Sequence, residues 1–169
     1  GKSTLLAQCH AVDPFPAWLS LDKGDNDVVV FWWSIIEALR TVAGDFGESY
    51  RRRLLAAGPA AVDDVVVSAC NELAERDMPI HLFLDDLHVV DNVACRRSLH
   101  RFVSMVPNGV RVTVASRQSA PIPLARMRAG DDLVEIGASD LALSVDEARR
   151  FLTRLNVTLD ESQVDQLIA

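Results

Sequence analysis

The sequence predicts an α/β fold on a parallel sheet, for three reasons. Short apolar runs suited to strands alternate with segments whose apolar residues recur at helical spacing. Two of those runs, 79–84 and 110–115, stop at polar pairs, Asp85-Asp86 and Ser116-Arg117. The chain also opens on Gly1-Lys2-Ser3-Thr4 and leads from it directly into an apolar helical pattern.

Residues 3–10 read as a helix, with Leu5, Leu6 and Cys9 on one side. AWLSL, at 17–21, is a short strand. The turn GDND follows, and Asp27 is placed to cap a helix reaching about Val42, with Phe31, Ile35, Leu39 and Val42 at helical spacing. The stretch 43–61 is broken by Gly44, Gly47, Gly58 and Pro59 around a short helix at 50–56. Val62, Val65, Val66, Ala69, Cys70 and Leu73 then mark a further helix. PIHLFL is a strand ending at the two acids. Cys95, Leu99, Phe102, Val103 and Val106 define the next helix, and Pro107-Asn108-Gly109 supplies turn chemistry. VRVTVA is a strand, and LVEI at 133–136 is read as another. Ser144 to Glu147 is a capping box that opens a helix through about Leu155, and a last helix is expected from about Asp160. The character thus changes near residue 138, which divides the chain into a core, 1–138, and a helical part, 139–169.

Composition narrows the functions open to the chain. It has 169 residues and a formal net charge of -7, from 17 basic and 24 acidic side chains. Such an acidic domain is poorly suited to gripping nucleic acid by itself. An anion would have to be held locally, by backbone amides and a few placed cations. Cys9, Cys70 and Cys95 lie far apart without a C-x-x-C pair, which argues against a disulfide framework and a zinc site. No signal peptide is visible, and no uninterrupted apolar run reaches the ~18 residues of a membrane span.

Three elements carry chemistry. Gly1-Lys2-Ser3-Thr4 is the second half of the phosphate-binding loop G-x-x-x-x-G-K-[ST]. Glycine admits a phosphate close to the backbone, and the following amides and positive helix end face the anion. Lys2 is expected to reach the β- and γ-phosphates, and the Ser3 hydroxyl to complete a magnesium shell. In the second element, adjacent acids finish an apolar strand. Asp85 is expected to hold magnesium and Asp86 to polarise the attacking water. In the third, Arg117 follows a strand end from which it can sense the γ-phosphate. His88 is expected to hydrogen-bond locally. Trp18, Trp32 and Trp33 are read as packing residues, and Arg51-Arg52-Arg53 as a solvated helix face. Together these features specify a P-loop NTPase. Only half of the loop motif is present, so its first glycine and the strand before it are expected upstream.

GKSTLLAQ, WLSLDKGDNDVVVFWWSIIEALR, LFLDDLHVVDN and ASRQSAPIPLARMRAGDDLVEIGASDLALSVDEARRFL resemble the ATPase domain of the large MalT-like, LuxR-type transcriptional regulators. These belong to the STAND class of signal-transducing P-loop NTPases. The resemblance implies a sheet of the ASCE type lacking its first strand, which would lie between the ASR and LVEI strands, and the start of a helical lid from Ser144. Without that strand, these residues are expected to bind ATP poorly. The resemblance further implies a cytoplasmic switch that binds ATP and Mg2+, hydrolyses ATP slowly, self-associates, and meets a small inducer and promoter DNA through other regions. No membrane partner is implied. It carries over Gly1, Lys2, Ser3 and Thr4 as cofactor-binding residues, Ser3 and Asp85 as metal ligands, and Asp86 and Arg117 as catalytic residues. The alternative is the ATPase domain of another AAA-like or multidomain signalling enzyme with true turnover. No base-reading motif separates ATP from GTP.

Overall fold

The computed structural model describes residues 2–76, 78–118, 124–130, 132–142, 144–155, 157 and 163, with the backbone alone for Arg126. The chain divides into two compact units, Gly1–Leu133 and Val134–Ala169.

The first unit is an α/β layer structure. Its parallel sheet has the order β1-β2-β3, with β1 Pro16–Ser20, β2 Ile80–Asp85 and β3 Val110–Val114. Trp18 lies opposite Phe83, and Phe83 opposite Thr113. Because side chains alternate along a strand, this register sorts the two faces. Ala17, Leu82 and Leu84 face the main core, where α2 (Val28–Arg40), α4 (Val62–Glu75) and α5 (Val93–Val103) pack. Trp18, Phe83 and Ala115 face the other way, where Leu6 of α1 (Lys2–Val12) packs. The helix α3 (Glu48–Ala57) adds Tyr50 and Leu54 to the core.

Local signals explain most of the boundaries. The Asp27 carboxylate accepts from the amides of Val29 and Val30 at 2.8 and 3.1 Å, so α2 starts at Val28. Its buried positions, Val28, Phe31, Trp32, Ile35, Ile36, Ala38 and Leu39, make one continuous apolar side. Trp32 is fully buried and keeps its indole N–H satisfied by donating to Ser98 Oγ of α5 at 2.8 Å. Gly47 has φ 71° and precedes α3 where a side chain would strike Ile36, so glycine is required there. The helical run Glu48–Glu75 is long and apolar enough to cross a membrane by length and composition. Its apolar residues Leu54, Val62, Val65, Val66, Ala69, Cys70 and Leu73 are nonetheless packed into the core of this unit.

Several expectations are corrected. Residues 132–137 form no strand, and LVEI has no ladder partner among the described residues. Val134 and Ile136 are exposed, whereas a strand inside a parallel sheet would bury them. Cys9 is exposed, whereas His10 lies edge-on to Trp18 and Phe83. Arg51 is not simply solvated: it pairs with Glu37 at 2.9 Å and stacks over Trp33 at 4.4 Å. The short helix α6 (Ala125–Ala129) was not anticipated. In the second unit, Ser144 and Glu147 form the expected reciprocal cap on α7 (Val145–Arg154). Of the helix expected from Asp160, only Gln163 is among the described residues, and it is helical.

A polar cluster sits on the α1 side of the sheet. His81 Nδ1 lies 2.8 Å from Asp13 Oδ2, and His81 Nε2 lies 2.7 Å from Thr113 Oγ1. Arg111 approaches the same carboxylate at 3.6 Å. Burial pushes the Asp13 carboxyl upward, but the His81 bond, the Phe15 amide and the charges of His81 and Arg111 together hold it below the usual carboxylate value. A depressed folded value stabilises the fold above the unfolded value of 3.8 and ceases to do so as pH falls through the folded one. Stability of the parent should therefore fall on acidification below about pH 4. Asp13→Asn should be less stable at neutral pH by about 1–2 kcal/mol and show a flatter acid limb. Urea midpoints between about pH 3 and 7 measure both, and parallel curves for the two proteins would refute the assignment.

Candidate functional site

Parallel strands bring their C-terminal ends to one edge of the sheet, and hydrogen bonds there continue past the strands themselves. Leu21 N donates to Asp85 O at 3.1 Å, Ala115 N to Leu84 O at 2.8 Å and Leu87 N to Ala115 O at 3.0 Å. The residues following each strand are thereby fixed side by side. The start of α1 closes the same place, through the contact of Leu6 with Phe83 and Ala115.

These elements surround a cleft of about 210 Å3 lined by Lys2, Ser3, Asp85, Asp86, Ala115, Ser116 and Arg117. Lys2, Ser3, Asp85, Asp86 and Arg117, all singled out in the sequence, thus converge. Thr4 is exposed on α1 and does not line the cleft. Gly1 lies outside the described residues. Two cations and two carboxylates share one small polar space, which suits a phosphate chain carrying a divalent ion.

The acids differ in setting. Asp85 ends β2 and is 5% exposed, and its Oδ1 accepts from the Asp86 amide at 2.9 Å. Asp85 also lines the cleft. Asp86 is half-buried and lies in the left-handed region, at φ 58° and ψ 34°, the one non-glycine residue to do so among those described. That backbone turns the chain off the strand into a short 3-10 turn, Leu87–Val89. His88 Nδ1 stands 3.6 Å from Asp86 Oδ1, too far for a hydrogen bond, so the expected local bond is not formed.

Sequence reasoning missed what holds this loop. Asn26, at the end of the 3-10 turn Lys23–Asn26, donates from Nδ2 to Val89 O at 2.8 Å. Its Oδ1 accepts from the amides of Asp91 and Asn92 at 2.6 and 3.1 Å. Asn92 Nδ2 returns a bond to Asn26 O at 2.7 Å, while Asn92 Oδ1 caps α5 through Ala94 N. The signal in the sequence was asparagine rather than aspartate at the end of each loop. Only an amide side chain both donates and accepts in this way.

The left-handed backbone at Asp86 costs a residue with a Cβ roughly 1–2 kcal/mol, less for Asp and Asn. Asp86→Gly should therefore be at least as stable as the parent, while Asp86→Val should lose about 1–2 kcal/mol. Chemical denaturation of the three proteins checks this. Equal loss in both variants would show that the backbone conformation is not the determinant.

No family model matches the chain. Curated relatives match it over most of its length. The HTH-type transcriptional regulator MalT of Yersinia enterocolitica is 29% identical over 168 residues, 99% of this chain and 19% of that protein. MalT of Cronobacter sakazakii is also 29% identical, over 168 residues. MalT of Klebsiella pneumoniae is 29% identical over 151 residues, 89% of this chain and 17% of that protein. The chain spans about a fifth of the length of these relatives. Over nearly its whole length, the chain is similar to these MalT regulators.

Proposed function

We propose that the cleft binds the phosphate end of ATP together with Mg2+, and that the chain is the nucleotide-binding switch module of a MalT-like transcriptional regulator. The observation that carries this reading is convergence. Lys2 and Ser3 open one helix, Asp85 and Asp86 end β2, Ser116 and Arg117 follow β3, and all six line one cleft.

The residues present fit the group. Mg2+ needs only one or two protein oxygens in addition to phosphate oxygens. The buried Asp85 carboxylate and the Ser3 hydroxyl are such a pair. Mg2+, when bound, neutralises phosphate charge and polarises the phosphoryl group. Lys2 adds a compact cation, and the first amides of α1 add donors at the positive end of a helix. Asp86, more open to water than Asp85, is the residue to orient a water molecule. Arg117 is exposed on the cleft wall, where its charge serves a terminal phosphate.

Slow hydrolysis would reset a switch of this kind, and binding would bias it toward one state. Self-association, a small inducer and promoter DNA belong to the same proposal, through regions outside these residues, as does a cytoplasmic setting. The relatives are named as helix-turn-helix transcriptional regulators and are about five times as long as this chain.

Titration of ATP into the complete protein, with and without magnesium, tests the reading. Lys2→Ala removes a charge-assisted contact and should weaken binding by ~1.5–3 kcal/mol, roughly 10- to 150-fold. Asp85→Asn should abolish most of the gain from magnesium. Asp86→Asn should bind as the parent does and hydrolyse more slowly. An unchanged dissociation constant for Lys2→Ala would remove it from the site, and parental hydrolysis by Asp86→Asn would remove that acid's role.

A further inference from the structure

The two loops joined by Asn26 and Asn92 lie far apart in the chain, and only one of them borders the cleft. We infer that Asn26 is a positioning residue for Asp86, acting by fixing the loop 86–92 from the neighbouring strand end. The inference rests on the proposed nucleotide site.

The geometry supports orientation over simple stability. Asn26 meets three backbone groups of that loop, Val89 O, Asp91 N and Asn92 N, with a single side chain. The bonds to the Asp91 and Asn92 amides are exposed, so water would satisfy those groups if Asn26 were removed. What water would not supply is a fixed course for the loop. The left-handed conformation at Asp86 makes that course important, because such a backbone persists only where its surroundings over-determine it. On one side the surroundings are the ladder bonds at Asp85 and Leu87; on the other they are Asn26 and Arg96, whose Nε donates to Val90 O at 2.8 Å.

The clamp has a firm base. Asp25, 7% exposed, accepts from Asp22 N and from Ser34 Oγ, both at 2.9 Å. Cys95 Sγ of α5 donates to Asp25 O at 3.6 Å. The turn carrying Asn26 is thus tied to α2 and α5 before it reaches the acid loop. A displacement of ~1 Å at a reacting group costs as much as 100-fold in rate, whereas substrate contacts elsewhere are unaffected.

The test measures Mg-ATP binding, turnover and thermal midpoint for the complete protein, Asn26→Ala, Asn26→Asp and Asp27→Ala. Asp27→Ala loses the cap of α2 next door and touches neither the cleft nor the acid loop. Asn26→Ala should lose about tenfold or more in saturating turnover, with KM and the dissociation constant for Mg-ATP changed less than about threefold. Asn26→Asp keeps both acceptor bonds and loses the donations to Val89 O and to Lys23 O of its own turn, so its turnover should fall between those of the parent and the alanine variant. Asp27→Ala should melt earlier and turn over normally. Parental turnover in Asn26→Ala overturns the inference, as does an equal loss in Asp27→Ala, which would trace the effect to stability. Should Asn26→Ala fail to fold, Asn26→Asp decides, and parental turnover there overturns it too. A parent that does not bind Mg-ATP removes the nucleotide site and this inference together. A parent that binds and hydrolyses beside an unaffected Asn26→Ala removes this inference alone.

Discussion

A parallel sheet cannot end its strands in a hairpin, so each strand must release the chain at the same edge and send it into a crossover. In this protein the hydrogen bonds at that edge do not stop with the strands. The bonds Leu21–Asp85, Ala115–Leu84 and Leu87–Ala115 carry the ladder into the loops. Everything chemical depends on that extension. It places Asp85 where it is buried yet adjacent to solvent, and it sets Ser116 and Arg117 beside the acids. Because β2 is the middle strand, with Leu82, Phe83 and Leu84 fully buried, the acids inherit the rigidity of the core.

The core is bound to that edge by a second, buried line of polar bonds. Trp32 Nε1 donates to Ser98 Oγ, and Ser98 Oγ donates to Cys95 O at 3.0 Å. Cys95 in turn reaches the Asp25 carbonyl. Burial, then the nearby Asp27 and Asp25 charges, push the Cys95 thiol up to about 11, so it remains protonated and able to donate. A residue that reads as a small apolar filler in the sequence thus joins α5 to the loop after β1.

The parts legible in the sequence were those with local causes. Asp27 and Ser144 cap the helices that follow them because a cap needs only the next two or three amides. The strand 80–85 was legible because an apolar run cannot end in two acids without somewhere for them to face. Where the cause is distant, the sequence reading was incomplete or wrong. LVEI has the composition of a strand, but a strand is made by its partner, and 132–137 has none among the described residues. Asn26 and Val89 are 63 positions apart, so their bond has no periodicity to reveal it. The pairing of His81 with Asp13 and Thr113 likewise depends on strand register, and Arg51 owes its half-buried place to Glu37 and Trp33 on another helix. The cleft was foreseeable as a set of residues because three strand-end or helix-start motifs occurred in order; the clamp that fixes its acid loop was not.

The mounting of α1 has a consequence for how the molecule breathes. This helix rests on Trp18, Phe83 and Ala115, and among the described residues Leu6 is its one buried side chain, against seven in α2. Few apolar contacts mean that α1 detaches at a lower free energy than the sheet behind it unfolds. Amide hydrogens of α1 should then exchange through a local opening, while those of β2 wait for global unfolding. An anion gripping the first turn would be read out there first, as slowed exchange in a helix that the core itself barely restrains.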